Sequence, residues 1–284
     1  MPYSYYPGCS LHSTGLEYGL STRAVFECLN IDLIELQGWN CCGASSAHAL
    51  NHMLSLALPA RNLALAQRAG YDLVAPCAAC FNRMKSADYT LRSDPQTREE
   101  VEAIVGFEYT GEIGVRPVLA VLYEDYGVEP IAARIRKPLQ GLRVVPYYGC
   151  LLVRPPQVTQ FDDPDHPRVM AELLEAIGAD VLPWSYATEC CGAGLSLGRS
   201  DVVQGLVSRL ADRAREAGAD ALVTACPLCQ VNLEMRQTYE PKMPAFYFTE
   251  LIGLALGLPQ VSKWWSKHLI DPRPLLHSVG FAVE

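Results

Sequence analysis

Ten of the eleven cysteines obey one pattern written twice. The first copy is Cys9, the pair Cys41-Cys42 followed by Gly43, then Cys77 and Cys80 as a CxxC. The second is Cys150, the pair Cys190-Cys191 followed by Gly192, then Cys226 and Cys229. In both copies 34 residues separate the pair from the CxxC. Cysteines so arranged, in a reducing compartment, read as metal ligands or redox groups before they read as disulfide staples. Five thiols per copy is the telling count. A structural zinc takes four ligands in a tetrahedron, and a cubane [4Fe–4S] cluster takes four cysteines. Adjacent cysteines suit either poorly, because neighbouring side chains diverge. A fifth thiolate therefore suggests an extended or bridged cluster, and two such sites suit a two-electron reaction. The ferredoxin run CxxCxxCxxxCP is absent, so electrons are expected from a partner.

The elements that must position these thiols repeat with them. Ser4–Tyr6 reads as a strand entering Pro7-Gly8-Cys9, and a helix follows over Thr14–Leu29. Ile31–Leu36 is a strand before the first pair, and Met53–Ala69 a long helix after it. Tyr71–Ala75 is a strand, Cys77 to Cys80 a turn, and Phe81–Thr90 a helix. The second copy repeats the order: strand Arg143–Tyr147, helix Arg168–Ile177, strand Asp180–Leu182, helix Asp201–Ala217, strand Asp220–Thr224, a CxxC turn and helix Val231–Tyr239. Each half ends in an apolar unit, Arg116–Tyr123 in one and Met243–Leu251 in the other.

Strands alternating with helices predict an α/β chain of two pseudo-symmetric parallel-sheet units, residues 1–138 and 139–284, with the cysteines at the carboxyl ends of strands. That edge is where such sheets bind ligands. Helix N-termini there favour an anion such as a thiolate-ligated cluster. An insert after Cys150, carrying Arg154-Pro155-Pro156 and Asp162–His166, lengthens the first spacing from 31 residues to 39. Its turn-rich composition predicts a surface loop.

A chain of 284 residues, half hydrophobic and 19% charged, is a soluble globular type. Its net charge of −8 argues against a nucleic-acid binder while leaving room for a local basic pocket. Met1–Pro7 has no basic or apolar leader character. The longest apolar run, Leu251–Leu258, is too short for a membrane span, which needs ~20 residues. A cytoplasmic location is expected.

The pattern C-x31–39-CCG-x34-CxxC, with the tail Trp264–Leu276, resembles the B-subunit family of heterodisulfide reductase over nearly the whole chain. The resemblance implies that each CCG motif holds a non-cubane [4Fe–4S] cluster. Cys9, Cys41, Cys42, Cys77 and Cys80 would hold one, and Cys150, Cys190, Cys191, Cys226 and Cys229 the other. It further implies a disulfide or thiol substrate between them, its sulfur–sulfur bond cleaved by two one-electron transfers. The partners it implies are a ferredoxin-like iron–sulfur subunit and a flavin-containing subunit. The alternatives are a non-catalytic iron–sulfur electron-transfer subunit of a flavin-linked dehydrogenase complex, and a module with zinc at one site.

Several further residues are candidates. His12, His48 and His52 stand near the motif cysteines and are of the type that protonates a leaving thiolate. The preferred reading of each is a satisfied histidine near a helix start, for His12 least strongly. Arg83, Lys85, Arg154 and Arg199 fit an anionic substrate or a solvated helix face. Cys28 reads as a small core residue. Trp264 and Trp265, with Lys263, Lys267 and His268, fit partner docking and core capping equally.

Overall fold

The structure, a computed structural model, describes residues 1–44 and 47–282, apart from the side chain of His48. In the first half β1 (Pro2–Tyr5), α1 (Leu16–Cys28), β2 (Asp32–Glu35), α2 (His52–Ala69), β3 (Leu73–Val74), α3 (Ala78–Ser93), α4 (Pro95–Val105) and β4 (Val115–Arg116) follow in order. They lead into α5 (Val118–Ala120), which runs on as π-helical turns over Val121–Tyr126, and then α6 (Val128–Ala132). The second half carries β5 (Arg143–Tyr147), α7 (Val169–Ala176), β6 (Asp180–Val181), α8 (Ser200–Glu216), β7 (Ala221–Thr224), α9 (Pro227–Met235), β8 (Ala245–Tyr247) and α10 (Phe248–Ala255). The tail adds α11 (Ser262–Trp265) and α12 (Arg273–Ser278).

Two four-stranded sheets result, ordered β2-β1-β3-β4 and β6-β5-β7-β8, with every neighbouring pair parallel. The expected α/β fold of two pseudo-symmetric parallel-sheet units is what the chain adopts. The inner strands β3 and β7 are buried throughout, as sheets covered on both faces require. Pro146 stands inside β5, yet it interrupts no ladder bond. Its carbonyl faces the β6 side and accepts from Trp184 Nε1 at 2.8 Å, where β6 has already ended. In each sheet the strand order reverses direction between the first strand and the third. That crevice is the switch point where open α/β sheets bind ligands.

Local structure differs from the sequence expectation in several places, and the insert after Cys150 is not a plain surface loop, because it forms a short helix over Pro156–Thr159 that buries Val158 and Thr159. The CxxC segments are not turns. Cys77 and Cys226 are extended N-cap residues, and Cys80 and Cys229 lie in the first turn of α3 and α9. Helix α9 ends at Met235 rather than Tyr239, because the Gln237 amide bonds the carbonyls of Leu233 and Met243 and turns the chain toward β8. Helix α4 was not anticipated. Asp94 caps it, accepting from the N–H groups of Gln96 and Thr97, with Pro95 in its first turn.

The halves interlock through one continuous core. Helix α1 of the first half packs on α10 of the second. There the Tyr18 and Tyr247 rings stack at 4.3 Å, and Ser21 and Thr249 share a buried hydrogen bond of 2.7 Å. In the mirrored contact α7 packs against α5 and α6, and Tyr123 donates to Glu172. The tail closes the second half. Trp264 and Trp265 are 2% and 1% exposed, so they cap the core. Gly253 admits Trp264, since a Cβ there would stand 2.7 Å from its ring.

Candidate metal centre

Each half delivers its five thiols from the same three loops. The single cysteine follows the first strand and the CxxC follows the third, which places them on either side of the switch point. The cysteine pair follows the second strand. A tyrosine three residues before the single cysteine anchors the loop that carries the pair. Tyr6 Oη donates to the Asn40 carbonyl at 2.9 Å, and Tyr147 Oη donates to the Glu189 carbonyl at 2.7 Å. These two tyrosines were missed in the sequence, although their recurrence at the same offset in both copies was a readable signal. In the first half the buried Asn62 also clamps Asn40, accepting from its N–H and donating to its carbonyl, each at 3.0 Å.

The thiols meet in matching pairs. Cys42 Sγ lies 3.2 Å from Cys80 Sγ, and Cys191 Sγ lies 3.5 Å from Cys229 Sγ. The Gly43 N–H points at Cys41 Sγ at 3.4 Å, and the Gly192 N–H at Cys190 Sγ at 3.3 Å. The inner three of each set are buried, whereas Cys9, Cys41 and Cys190 are exposed and Cys150 is half-buried. Cys77 and Cys226, one from each set, lie close enough to shift each other's acidity.

These contacts set the acidities. Hydrogen bonds from the Cys41 and Cys80 thiols pull Cys42 down to about 3. The Cys150 thiol brings Cys190 down to about 6, and the Cys229 thiol lowers Cys191. Cys226 is held well below the ordinary thiol range by Cys229 and then by Cys77. The partners Cys41, Cys77, Cys80, Cys150 and Cys229 are pushed up in exchange. Each half therefore holds at least one thiol of lowered pKa, Cys42 in the first and Cys190, Cys191 and Cys226 in the second, and the thiolate is the form in which cysteine ligates metal.

The residues fit an iron–sulfur cluster. The donor set is all sulfur, which selects soft and iron–sulfur chemistry. The backbone leaves a cradle: Gly8 and Gly149 both have φ +66°, and a Cβ on them would stand 3.2 Å from Cys80 Sγ and 3.1 Å from Cys229 Sγ. Only glycine adopts that conformation without strain and leaves the space open.

The remaining candidates fall out differently. His12 is exposed, three residues from Cys9, and stacks on Trp39 with centroids 5.5 Å apart. His52 is exposed at the start of α2. The side chain of His48 lies outside the described residues. Arg154 bonds Asp165 and Thr188, and Arg199 bonds Asp201, so both serve local loops. The Nε atom of Arg83 is buried without a partner. Lys85 lines a cleft with no cysteine in its walls. Cys28 is half-buried against the core. His268 is not on a docking face. Its ring is wholly buried, with Nδ1 2.7 Å from Glu234 and Nε2 3.0 Å from Glu250.

The fold and its paired thiol sets define a two-site cysteine-rich protein, and the comparisons agree. A cysteine-rich domain model, CCG, matches residues 3–85 and 144–234. The chain belongs to this CCG family, carries the domain twice, and stands among the relatives of the heterodisulfide reductase B-subunits. The 8-methylmenaquinol:fumarate reductase membrane anchor subunit of Wolinella succinogenes is 30% identical over 96% of this chain and 98% of its own length. The B-subunit of the ferredoxin:CoB-CoM heterodisulfide reductase of Methanosarcina mazei is 28% identical over 89% of each chain. A protein of Archaeoglobus profundus named as like the heterodisulfide reductase B-subunit is 29% identical over 90% of each. In shape, the chain is similar to a hypothetical protein from Helicobacter pylori, with a TM-score of 0.73 at 13% identity over 95% of this chain and 52% of that one. No helix among the described residues is long and apolar enough to cross a membrane.

Proposed function

We propose that this chain is the catalytic subunit of a heterodisulfide reductase-like complex that cleaves or forms a disulfide. The observation that carries this reading is the presence of two matched five-cysteine sets, each bringing its pair against its CxxC, Cys42 Sγ to Cys80 Sγ at 3.2 Å and Cys191 Sγ to Cys229 Sγ at 3.5 Å, which suits a two-electron reaction. Cys9, Cys41, Cys42, Cys77 and Cys80 would hold one non-cubane [4Fe–4S] cluster and Cys150, Cys190, Cys191, Cys226 and Cys229 the other. When bound, each cluster would supply one electron and an iron that takes one sulfur. The chain itself orients the thiolates through the Gly43 and Gly192 N–H groups and fixes the pair loops through Tyr6 and Tyr147. The reading divides the chain into units 1–138 and 139–284, and its unpaired thiols call for a reducing cytoplasmic setting.

The names of the relatives support a redox enzyme complex. The partners proposed are a ferredoxin-like iron–sulfur subunit that delivers electrons and a flavin-containing subunit. Beyond the cysteine pairs the rim exposes Leu50, Leu195 and Leu197 at 77%, 45% and 102%, in keeping with a face that binds a partner.

Anaerobically prepared protein is expected to hold about eight iron and matching acid-labile sulfide, four per cluster. Its EPR signal is expected to change on oxidation in the presence of a substrate thiol. Stoichiometric zinc would remove one cluster from the reading. Full iron with a signal indifferent to every thiol would leave an electron-relay subunit instead.

His12 is the proposed proton donor to the thiolate leaving on the Cys9 side. His12→Asn is expected to lower disulfide turnover by roughly 10²-fold, the usual reach of general acid catalysis. Iron content should not move. Unchanged turnover would return His12 to a packing role against Trp39.

A further inference from the structure

The two halves differ at one crevice. In the second half it lies between α9, β8 and α10, and the tail fills it. His268 enters there, bonding Gln230, Glu234 and Glu250 and packing on the Phe246 ring. The equivalent crevice of the first half lies between α3, β4 and α5, is walled on one side by Val158–Phe161 of the insert after Cys150, and keeps an open cleft of about 480 Å³. The residues match one for one. Phe81 and Lys85 stand one and five residues after Cys80, as Gln230 and Glu234 do after Cys229. Arg116 pairs with Val74 as Phe246 pairs with Val223. Ala120 follows Arg116 by four residues, as Glu250 follows Phe246. All four first-half residues line the cleft.

The charge at the matched positions differs: Lys85 and Arg116 stand where the second half has Glu234 and Phe246, and Ala120 stands for Glu250. The filled crevice is acidic and takes a basic group. The open one carries Lys85, which makes no ion pair among the described residues. Arg116 adds a buried Nε with no acceptor. The acidic groups of the cleft are already used: Asp88 by Arg92 and Tyr109, Asp72 by the Gly114 N–H, and Glu124 by Arg116. Burial lowers the pKa of Lys85, a cost that an incoming carboxylate would offset.

We propose that this cleft docks an acidic side chain, carried on a short turn of a partner subunit, in the place that His268 and its segment occupy in the second half. This rests on the reading of the chain as a complex subunit. It adds where a partner sits and by what chemistry. A buried, charge-assisted contact of this kind fixes register and orientation as well as affinity.

The test uses the full chain, tagged and recovered with its complex from its native host, with a photo-crosslinking benzoylphenylalanine in place of Tyr89. Tyr89 lines the cleft and is 44% exposed. The crosslink is expected to map to a partner segment containing Asp or Glu. Lys85→Glu should lower recovery of that partner at least tenfold, and Lys85→Met should lower it less, both with iron per chain unchanged. Reversing the crosslinked acid to Lys in the partner should restore recovery with Lys85→Glu. A crosslink confined to this chain or to a second copy, no crosslink in an intact complex, or full recovery with Lys85→Glu would each overturn the proposal. Missing iron in the unsubstituted chain would strike the cluster reading instead and leave the docking result readable.

Discussion

Replacing His268 by leucine is expected to destabilise the folded chain by about 3–5 kcal/mol, the cost of removing one partner from a buried ion pair. The ring stands between Glu234 and Glu250, and the three side chains are 0%, 4% and 0% exposed. Leucine would fill part of the volume and strand two carboxylates in the core. Glu17 lies close to the same group, and burial raises its pKa to about 7. Burial alone would lower the pKa of His268, but the Glu250 and Glu234 carboxylates outweigh it and raise the value to about 11. The folded value therefore lies above the unfolded value of ~6.5. The histidine's stabilisation is complete below pH 6.5 and is lost as pH rises from there through about 11. Urea unfolding of the unsubstituted chain should show this decline, and His268→Leu should lack it. A triple variant with Gln at 234, 250 and 268 should recover much of the loss, because no buried charge is left unpaired. A His268→Leu chain as stable as the parent at pH 6 would show that the buried pair contributes nothing.

The second large effect concerns the clusters. Cys42→Ser is expected to halve the iron, from about eight to about four per chain, and Cys191→Ser to remove the other half. Each is the buried member of its pair, 2% and 3% exposed, and each lies against the second cysteine of its CxxC. A hydroxyl in that position remains protonated and supplies no soft ligand. Disulfide turnover should vanish in both single variants, since one remaining cluster supplies one electron. Iron analysis with visible absorbance decides it. Full iron in Cys42→Ser would exclude that thiol as a ligand. Complete loss of iron from one substitution would mean that the sites assemble together, as their shared core would permit.

The duplicated α/β frame was legible in the sequence because its signals are local: runs of β-type residues, glycines after the cysteine pairs, and helical periodicity between them. The anchoring tyrosines were legible too, at a fixed offset from Cys9 and Cys150, but only once their hydroxyls had a destination. Helix α4 carried its own start signal in Asp94-Pro95, hidden by a polar composition with little apolar periodicity. The end of α9 was not legible, since Gln237 stops it by bonding a strand that lies beyond. Nor was the tail. Glu234, Glu250 and His268 share no sequence period, and only the tertiary fold brings them together. The same holds for the open cleft, whose meaning depends on comparing two places that the chain builds alike and fills differently.

The mirrored packing of α1 on α10 and of α7 on α5 and α6 is an isologous contact inside one polypeptide. A forebear with one motif would use the same surface to pair with its own copy, and its two metal sites would then be obliged to be identical. Joining the copies head to tail released that constraint. One side could acquire a plug from the chain's own end while the other stayed open. A symmetric homodimer cannot present different faces to two neighbours; a fused one can.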